Sequence, residues 1–291
     1  MIRAADAVAA LRERFAPASP TPALDAELLV ARVLGFTRAA LAADPGRALA
    51  PEELTTLESL ARRRLAGEPV AYLTGRREFW SLELEVTPDV LVPRPETELL
   101  VERTLAAVAG LSRPAVLDLG TGSGAVALAV AASRGDAAVT ATDVSPAVLA
   151  VAKRNAARIG LPNLRFFAGD WYAPLGAARF DAIASNPPYV ADGDPALAGL
   201  AHEPRLALVA GPDGLAALAA VTAGAAARLA PGGRLLLEHG AGQGAAVRAL
   251  LGAAGFSEVQ TLRDLAGLER VTEGTRPREA LESAPSTEAK R

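Results

Sequence analysis

The chain has 291 residues, of which 51% are hydrophobic, and a formal net charge of −3. It is long and apolar enough for one large α/β domain with a smaller companion. It contains no cysteine, which excludes disulfides, thiolate zinc sites and thiol nucleophiles, and with only His202 and His239 no bound metal is expected.

The opening Met1–Phe15 stretch is charged throughout, unlike a signal peptide or a membrane span. The later apolar runs are alanine-rich and interrupted by Gly, Pro or charge, so no membrane helix is expected and a cytoplasmic location is. An isoelectric point near 5.6 lacks the basic footprint of a duplex-DNA binder, so no direct nucleic-acid partner is expected. Arg62-Arg63-Arg64 is read as the solvated face of a helix.

Residues 1–75 read as a small helical domain. Asp25 to Leu34 runs into Gly35, a helix stop, and Pro51-Glu52-Glu53 opens a helix whose Leu54, Leu57, Leu60, Ala61 and Leu65 recur at helical spacing. Residues 76–92 read as a β-hairpin linker: Glu78 to Val86 alternates as a strand, and Thr87-Pro88-Asp89 breaks it before Val90-Leu91-Val92. Residues 93–275 alternate strand and helix. Strands are expected at Ala115–Leu119, Ala138–Asp143, Leu164–Ala168, Phe180–Ser185 and Arg234–Glu238, and two short ones at Glu258–Thr261 and Glu269–Thr272. Helices are expected at Ala125–Ser133, Pro146–Ile159, Leu215–Leu229 and Gln243–Ala254. Such alternation builds a mostly parallel sheet covered on both faces. Residues 276–291, charged and with Pro277 and Pro285, are expected to be a disordered tail.

Between the first strand and its helix lies Asp118-Leu-Gly120-Thr121-Gly122-Ser123-Gly124-Ala125. Gly120, Gly122 and Gly124 allow a tight turn and a close approach of backbone to a ligand. The pattern also satisfies the G-x-G-x-x-A dinucleotide fingerprint, and Asp143 stands where a ribose-binding acid belongs in either class. The turn therefore indicates an adenosine-bearing cofactor and leaves its identity open. Asp118 favours a cationic ligand such as the sulfonium and amino groups of S-adenosylmethionine over a pyrophosphate. After the third strand, Asp170 could accept from an adenine amino group. Trp171 could cover the adenine or simply cap the sheet edge.

The fourth strand ends in Asn186-Pro187-Pro188-Tyr189. Two prolines fix two φ values, donate no N–H and bias Asn186 toward an extended conformation. The result is a rigid corner at the carboxyl end of a strand, where open α/β sheets bind ligands. An amide or aromatic amine nitrogen is a poor nucleophile because its lone pair is delocalised. The Asn186 side-chain carbonyl and the Pro187 backbone carbonyl can accept its two N–H groups, and these bonds strengthen as methylation brings positive charge to nitrogen. Tyr189 would stack on the planar group. A bare proline-rich loop is the plain alternative for this tetrapeptide, but its place after the glycine turn and Asp143 favours methyl transfer.

These segments resemble the HemK/PrmC family, the protein-(glutamine-N5) methyltransferases that modify peptide chain release factors. The resemblance runs from Leu28 to Thr272. It includes Glu68–Gly75, Arg77–Trp80, Leu91–Glu98 with its Pro-Arg-Pro-Glu-Thr-Glu, the glycine turn, the Asn-Pro-Pro-Tyr corner, Leu236–Gly240 and Glu269–Thr272. It implies a seven-stranded class I (Rossmann-like) S-adenosylmethionine-dependent methyltransferase domain, preceded by a helical substrate-recognition domain and a hairpin. It implies class I release factors as protein substrate, methylated on the glutamine of their Gly-Gly-Gln loop, and a monomeric enzyme is expected. Carried onto this chain, it assigns the cofactor to Gly120–Gly124, Asp143 and Trp171, with Asp170 and Asn186 completing that set. The glutamine falls to Asn186–Tyr189, and Arg94 and Glu98 to the approach. His202 stands where the family often carries an aromatic and is read as a loop residue without a role.

Three rival readings remain. An adenine-N6 methyltransferase on DNA or RNA would use the same tetrapeptide but must grip phosphates and extract a base, for which no basic recognition domain is visible. A nicotinamide-dependent oxidoreductase leaves the tetrapeptide unexplained. A non-catalytic module would keep S-adenosylmethionine for stability and bind the release factor only as a partner.

Overall fold

The computed structural model describes residues 1–278. Five helices open the chain: α1 (Ala4–Phe15), α2 (Pro22–Leu34), α3 (Arg38–Ala43), α4 (Pro51–Leu65) and α5 (Val70–Thr74). Proline begins α2 and α4, where its missing N–H costs nothing, and Gly35 closes α2 in the left-handed conformation at φ 66°. Phe15, Leu29, Val30, Leu57 and Ala61 meet in a core of their own. Each fully buried side chain of Leu size contributes about 1.5–3 kcal/mol.

The three consecutive arginines of α4 do not share one solvated face. Successive residues on a helix turn by about 100°, which leaves Arg62 exposed, pairs Arg63 with Glu68 and turns Arg64 inward. Arg64 Nε meets Asp25 at 2.7 Å, with side-chain exposures of 13% and 3%. Ser19 and Thr21 hydroxyls also donate to Asp25, which satisfies the buried carboxylate.

The hairpin is present, but its turn is not where the alternation suggested. β1 (Arg76–Phe79) and β2 (Leu82–Glu85) pair antiparallel around Trp80-Ser81, inside the stretch that reads as one strand. Both turn residues have positive φ, 53° and 58°, a geometry usually given to Asn-Gly. Tertiary bonds hold it instead: Trp80 N donates to Glu98 Oε1 at 3.0 Å and Trp80 Nε1 to Ser133 Oγ at 2.9 Å.

The larger unit continues with α6 (Glu98–Ala107), β3 (Ala115–Leu119), α7 (Ala125–Ser133), β4 (Ala138–Asp143), α8 (Pro146–Ile159), β5 (Leu164–Ala168), β6 (Phe180–Ser185), α9 (Ala216–Arg228), β7 (Leu229–Glu238), α10 (Gly244–Ala253), β8 (Ser257–Arg263) and β9 (Glu269–Thr275). The seven strands lie in the order β5-β4-β3-β6-β7-β9-β8, parallel except for β9, which runs antiparallel to both neighbours. Side chains alternate between the faces, so Val116, Ala182, Ala184 and Leu236 pack with α6 and α7. Leu117, Leu119, Ile183, Leu235 and Leu237 pack with α9 and α10. β7 begins five residues before the expected Arg234, because Leu229 pairs with Phe180 across a register shift that absorbs Pro231.

The expected tail at 276–291 lies outside the described residues from 279 onward. Arg276 is part of the fold: its N–H donates to Gly233 O and its carbonyl accepts from Gly232 N.

Candidate functional site

β4 lies on one side of β3 and β6 on the other, so the strand order reverses at β3 and opens a crevice beyond the strand ends. A cavity of about 860 Å³ occupies it. Its walls include Asp118, Gly120–Ser123, Asp143, Gly169–Trp171, Asn186, Pro188 and Leu206–Gly211 with the exception of Leu208.

Asp118 reaches this site through strand alternation, which sends its carboxylate to the α7 side of β3. There Oδ2 accepts from Thr121 Oγ1 at 2.7 Å and from Ala127 N at 3.2 Å. Burial pushes its pKa up to about 6, against the pull of these two bonds, so it is largely ionised at neutral pH. The turn above it needs its glycines: Gly120, Gly122 and Gly124 have φ of 68°, 56° and 88°. Asp143 Oδ2 accepts from Gly122 N at 3.1 Å and Oδ1 from Ser145 N at 3.0 Å. Its pKa is raised by burial, which those amides oppose.

Trp171 stands between the two settings left open. It lines the cavity and also packs on the α9/α10 core, with Cζ3 at 3.6 Å from where a Gly120 Cβ would stand. Asn155 carries a support that the sequence reading overlooked. This fully buried residue of α8 donates to Ser123 O at 2.9 Å and to Glu85 O at 3.0 Å, and accepts from Glu85 N, tying the glycine turn to β2. An Asn on an amphipathic helix carries no sequence signal of that kind.

The Asn-Pro-Pro-Tyr corner divides between cavity and interior. Asn186 and Pro188 line the cavity, whereas Pro187 is buried. Tyr189 does not line it and packs on the α9/α10 core, with its backbone carbonyl accepting from Gln243 Nε2 at 3.0 Å. The stacking role expected of Tyr189 thus finds no counterpart in this conformation. The following residues pair with the cavity wall, Val190 N donating to Leu208 O and Ala210 N to Val190 O. No donor among the described residues takes the Pro187 carbonyl or Asn186 Oδ1. Asn186 Nδ2 donates to Thr97 Oγ1 at 3.3 Å.

Of the two approach residues, Arg94 lines the cavity and pairs with buried Glu203, which also accepts from Val92 N at 3.2 Å. Glu98 instead holds the hairpin turn. His202 has a partner after all: Nε2 lies 3.0 Å from Ala66 O, joining the loop after Tyr189 to the end of α4.

S-adenosylmethionine fits these donors. An ionised acid at the glycine turn matches its positive charge, Asp143 keeps lone pairs for ribose hydroxyls, and the cavity is open and flanked by an indole. Strand order and site together are those of a class I S-adenosylmethionine-dependent methyltransferase, and this chain is one. A family model for the PrmC N-terminal domain matches residues 6–75, and one for the methyltransferase small domain matches residues 95–203. The release factor glutamine methyltransferase of Burkholderia pseudomallei is 52% identical over 269 residues, covering 89% of this chain and 94% of that protein. That of Coxiella burnetii is 46% identical over 271 residues, covering 93% and 98%. The chain belongs to the release factor glutamine methyltransferase family. Among solved structures, the 16S rRNA N2 methyltransferase RsmC of Thermus thermophilus, determined with AdoMet and guanosine, matches with a TM-score of 0.53 at 25% identity, covering 69% of this chain and 49% of that one. A Pyrococcus furiosus methyltransferase shares the fold at a TM-score of 0.51 and 20% identity, covering 76% and 99%.

Proposed function

We infer that this chain methylates the side-chain amide nitrogen (N5) of the Gly-Gly-Gln glutamine in class I peptide chain release factors. The observation that carries this reading is the pair of unclaimed acceptors at the end of β6, Asn186 Oδ1 and Pro187 O. A primary amide has two N–H groups in one plane, and two acceptors on adjacent residues suit it.

Bound at the glycine turn, S-adenosylmethionine supplies a methyl group on positively charged sulfur. Asp118 would face its charged end, Asp143 would hold the ribose, and Asp170 and Trp171 would border the adenine. Asn186 and Pro187 take the substrate N–H bonds and hold the nitrogen lone pair toward the methyl. As the N–C bond forms and the methyl–sulfur bond breaks, leaving a neutral thioether, nitrogen gains positive charge and both bonds strengthen, each worth about 1.5–3 kcal/mol with a charged donor. Alignment of the reacting atoms adds several more, up to roughly 7–11 kcal/mol in ideal cases. The methylated amide is acidic and releases its proton to water, so the site has no need of a strong base. Residues 1–75 would recognise the release factor beyond the glutamine itself. We read the enzyme as a cytoplasmic monomer without direct nucleic-acid contact. No helix among the described residues is long and apolar enough to cross a membrane.

Incubation with labelled S-adenosylmethionine and a class I release factor, followed by mass-spectrometric mapping, tests the reading. Label on the Gly-Gly-Gln glutamine is expected. Label in nucleic acid instead would refute it, and tight cofactor binding with no transfer would favour a binding module.

A further inference from the structure

Asn186 can serve a substrate amide in only one of two nearly isosteric orientations. With Oδ1 toward the cavity it accepts an N–H; flipped, it sets donor against donor. The side chains behind it decide between the two. Thr97, 4% exposed at the turn before α6, accepts from Asn186 Nδ2. Its hydroxyl also faces the carboxyl of Glu238 at the end of β7, which is 1% exposed and whose Oε2 has no hydrogen-bond partner.

We propose that Glu238 and Thr97 are positioning residues that set the polarity of the Asn186 amide. Ionised Glu238 takes the single Thr97 proton, Thr97 is left with only a lone pair to offer, and Asn186 must turn Nδ2 to it and Oδ1 to the substrate. The proposal rests on the reading of Asn186 as the acceptor for the substrate amide. A protonated Glu238 reverses the relay: the acid donates to Thr97, the Thr97 proton is freed for Asn186 Oδ1, and the amide can flip.

The charged and titratable groups facing Glu238 are Glu96 from the turn before α6, Tyr189 from the loop after β6 and Arg270 from β9. Burial is the largest influence and raises Glu238 to about 7; Thr97, Arg270 and Tyr189 pull it down, and Glu96 pushes it up. Tyr189 is itself raised by burial and stays a donor. The productive orientation therefore dominates above about pH 7 and is lost below it. Asp118 titrates lower, at about 6, and would face the charged end of a bound methyl donor, so at saturating S-adenosylmethionine its protonation should be offset by the bound cofactor.

The test measures kcat against pH at saturating S-adenosylmethionine, with release factor as substrate, for the wild type, Thr97→Val, Thr97→Ser, Glu238→Gln and Asn186→Ala. Thr97→Val should lose at least about tenfold in kcat, the cost of one misdirected hydrogen bond, with S-adenosylmethionine affinity unchanged. Thr97→Ser, which keeps the hydroxyl, should recover most of it. The wild-type kcat should fall below about pH 7, and Glu238→Gln should lack that limb, because its amide does not titrate. Wild-type kcat in Thr97→Val would overturn the relay. Should that variant not fold, an acid limb that persists in Glu238→Gln overturns it equally. An inactive Asn186→Ala beside an unaffected Thr97→Val refutes the relay alone. Full turnover in Asn186→Ala refutes the reading of Asn186, and the relay with it.

Discussion

Replacing Gly122 and Gly124 by alanine, one at a time, separates what the turn does for the fold from what it does for the ligand. Both glycines have positive φ, 56° and 88°, which costs an alanine about 1–2 kcal/mol. At Gly124 the new Cβ would also stand 2.9 Å from Leu128 Cδ1 and 3.3 Å from Ala152 Cβ, inside the packing of α7 against α8. Overpacking of that kind adds about 1–3 kcal/mol, so the total loss is about 2–5 kcal/mol. At Gly122 nothing lies within 4 Å, and the methyl would project into open space beside the cavity. Gly122→Ala should therefore melt close to the wild type, with only the backbone cost. A ligand that approaches this backbone meets the methyl, and about 1–3 kcal/mol of crowding corresponds to a roughly 5- to 150-fold weaker Kd. Thermal melts with and without S-adenosylmethionine, together with calorimetric titration, read both quantities. Wild-type affinity in Gly122→Ala would refute the placement of the cofactor against this turn. A Gly124→Ala melt equal to that of Gly122→Ala would refute the packing argument.

Asp143→Asn keeps one acceptor oxygen where two backbone amides need two, so an NH₂ must face either Gly122 N or Ser145 N; S-adenosylmethionine affinity should fall at least about tenfold by calorimetry, with the melt lowered as well. Glu238 has a folded pKa of about 7 against 4.5 for the free side chain. Its contribution to stability is fully present below pH 4.5 and is lost as pH rises through 7, a change of about 3 kcal/mol. Glu238→Gln should therefore unfold later than the wild type in denaturant at pH 8, and that advantage should vanish near pH 4. Glu203→Ala leaves Arg94 unpaired and frees Val92 N; because the Arg94 side chain is 34% exposed and stays solvated, the loss should be that of the missing hydrogen bonds, about 1–3 kcal/mol. The same variant should raise KM for the release factor more than for S-adenosylmethionine, a comparison that steady-state kinetics makes directly.

The parallel strands were legible because each is an apolar run closed by a turn signal, and β3 to β6 begin and end where the sequence places them. Where tertiary contacts outrank local pattern, the sequence was misleading. Trp80-Ser81 has no turn signature, and the bond from Trp80 N to Glu98 gives it one. Arg64 looks like its two neighbours in sequence, and only the approach of α2, bringing Asp25, makes it a buried ion-pair partner. Pro231 argues against a strand until the register shift beside Phe180 makes room for it.

The site shows the same division within a few ångströms. The glycine turn and the Asn-Pro-Pro-Tyr corner are legible because their chemistry lies in the backbone, where glycine and proline leave unmistakable marks. A side chain's facing direction carries no such mark. Asn186 has two faces of opposite polarity, and which one meets the substrate depends on Thr97, 89 residues earlier in the chain, and on Glu238 beyond it. Thr97 reads in sequence as one letter of Pro-Arg-Pro-Glu-Thr-Glu, and Glu238 as the polar end of an apolar strand. Only the sheet order, which sets β6 beside β7, and the packing of α6 against both strands bring them behind one amide. The tetrapeptide carries the acceptors, and the polarity that makes them useful comes from the rest of the fold.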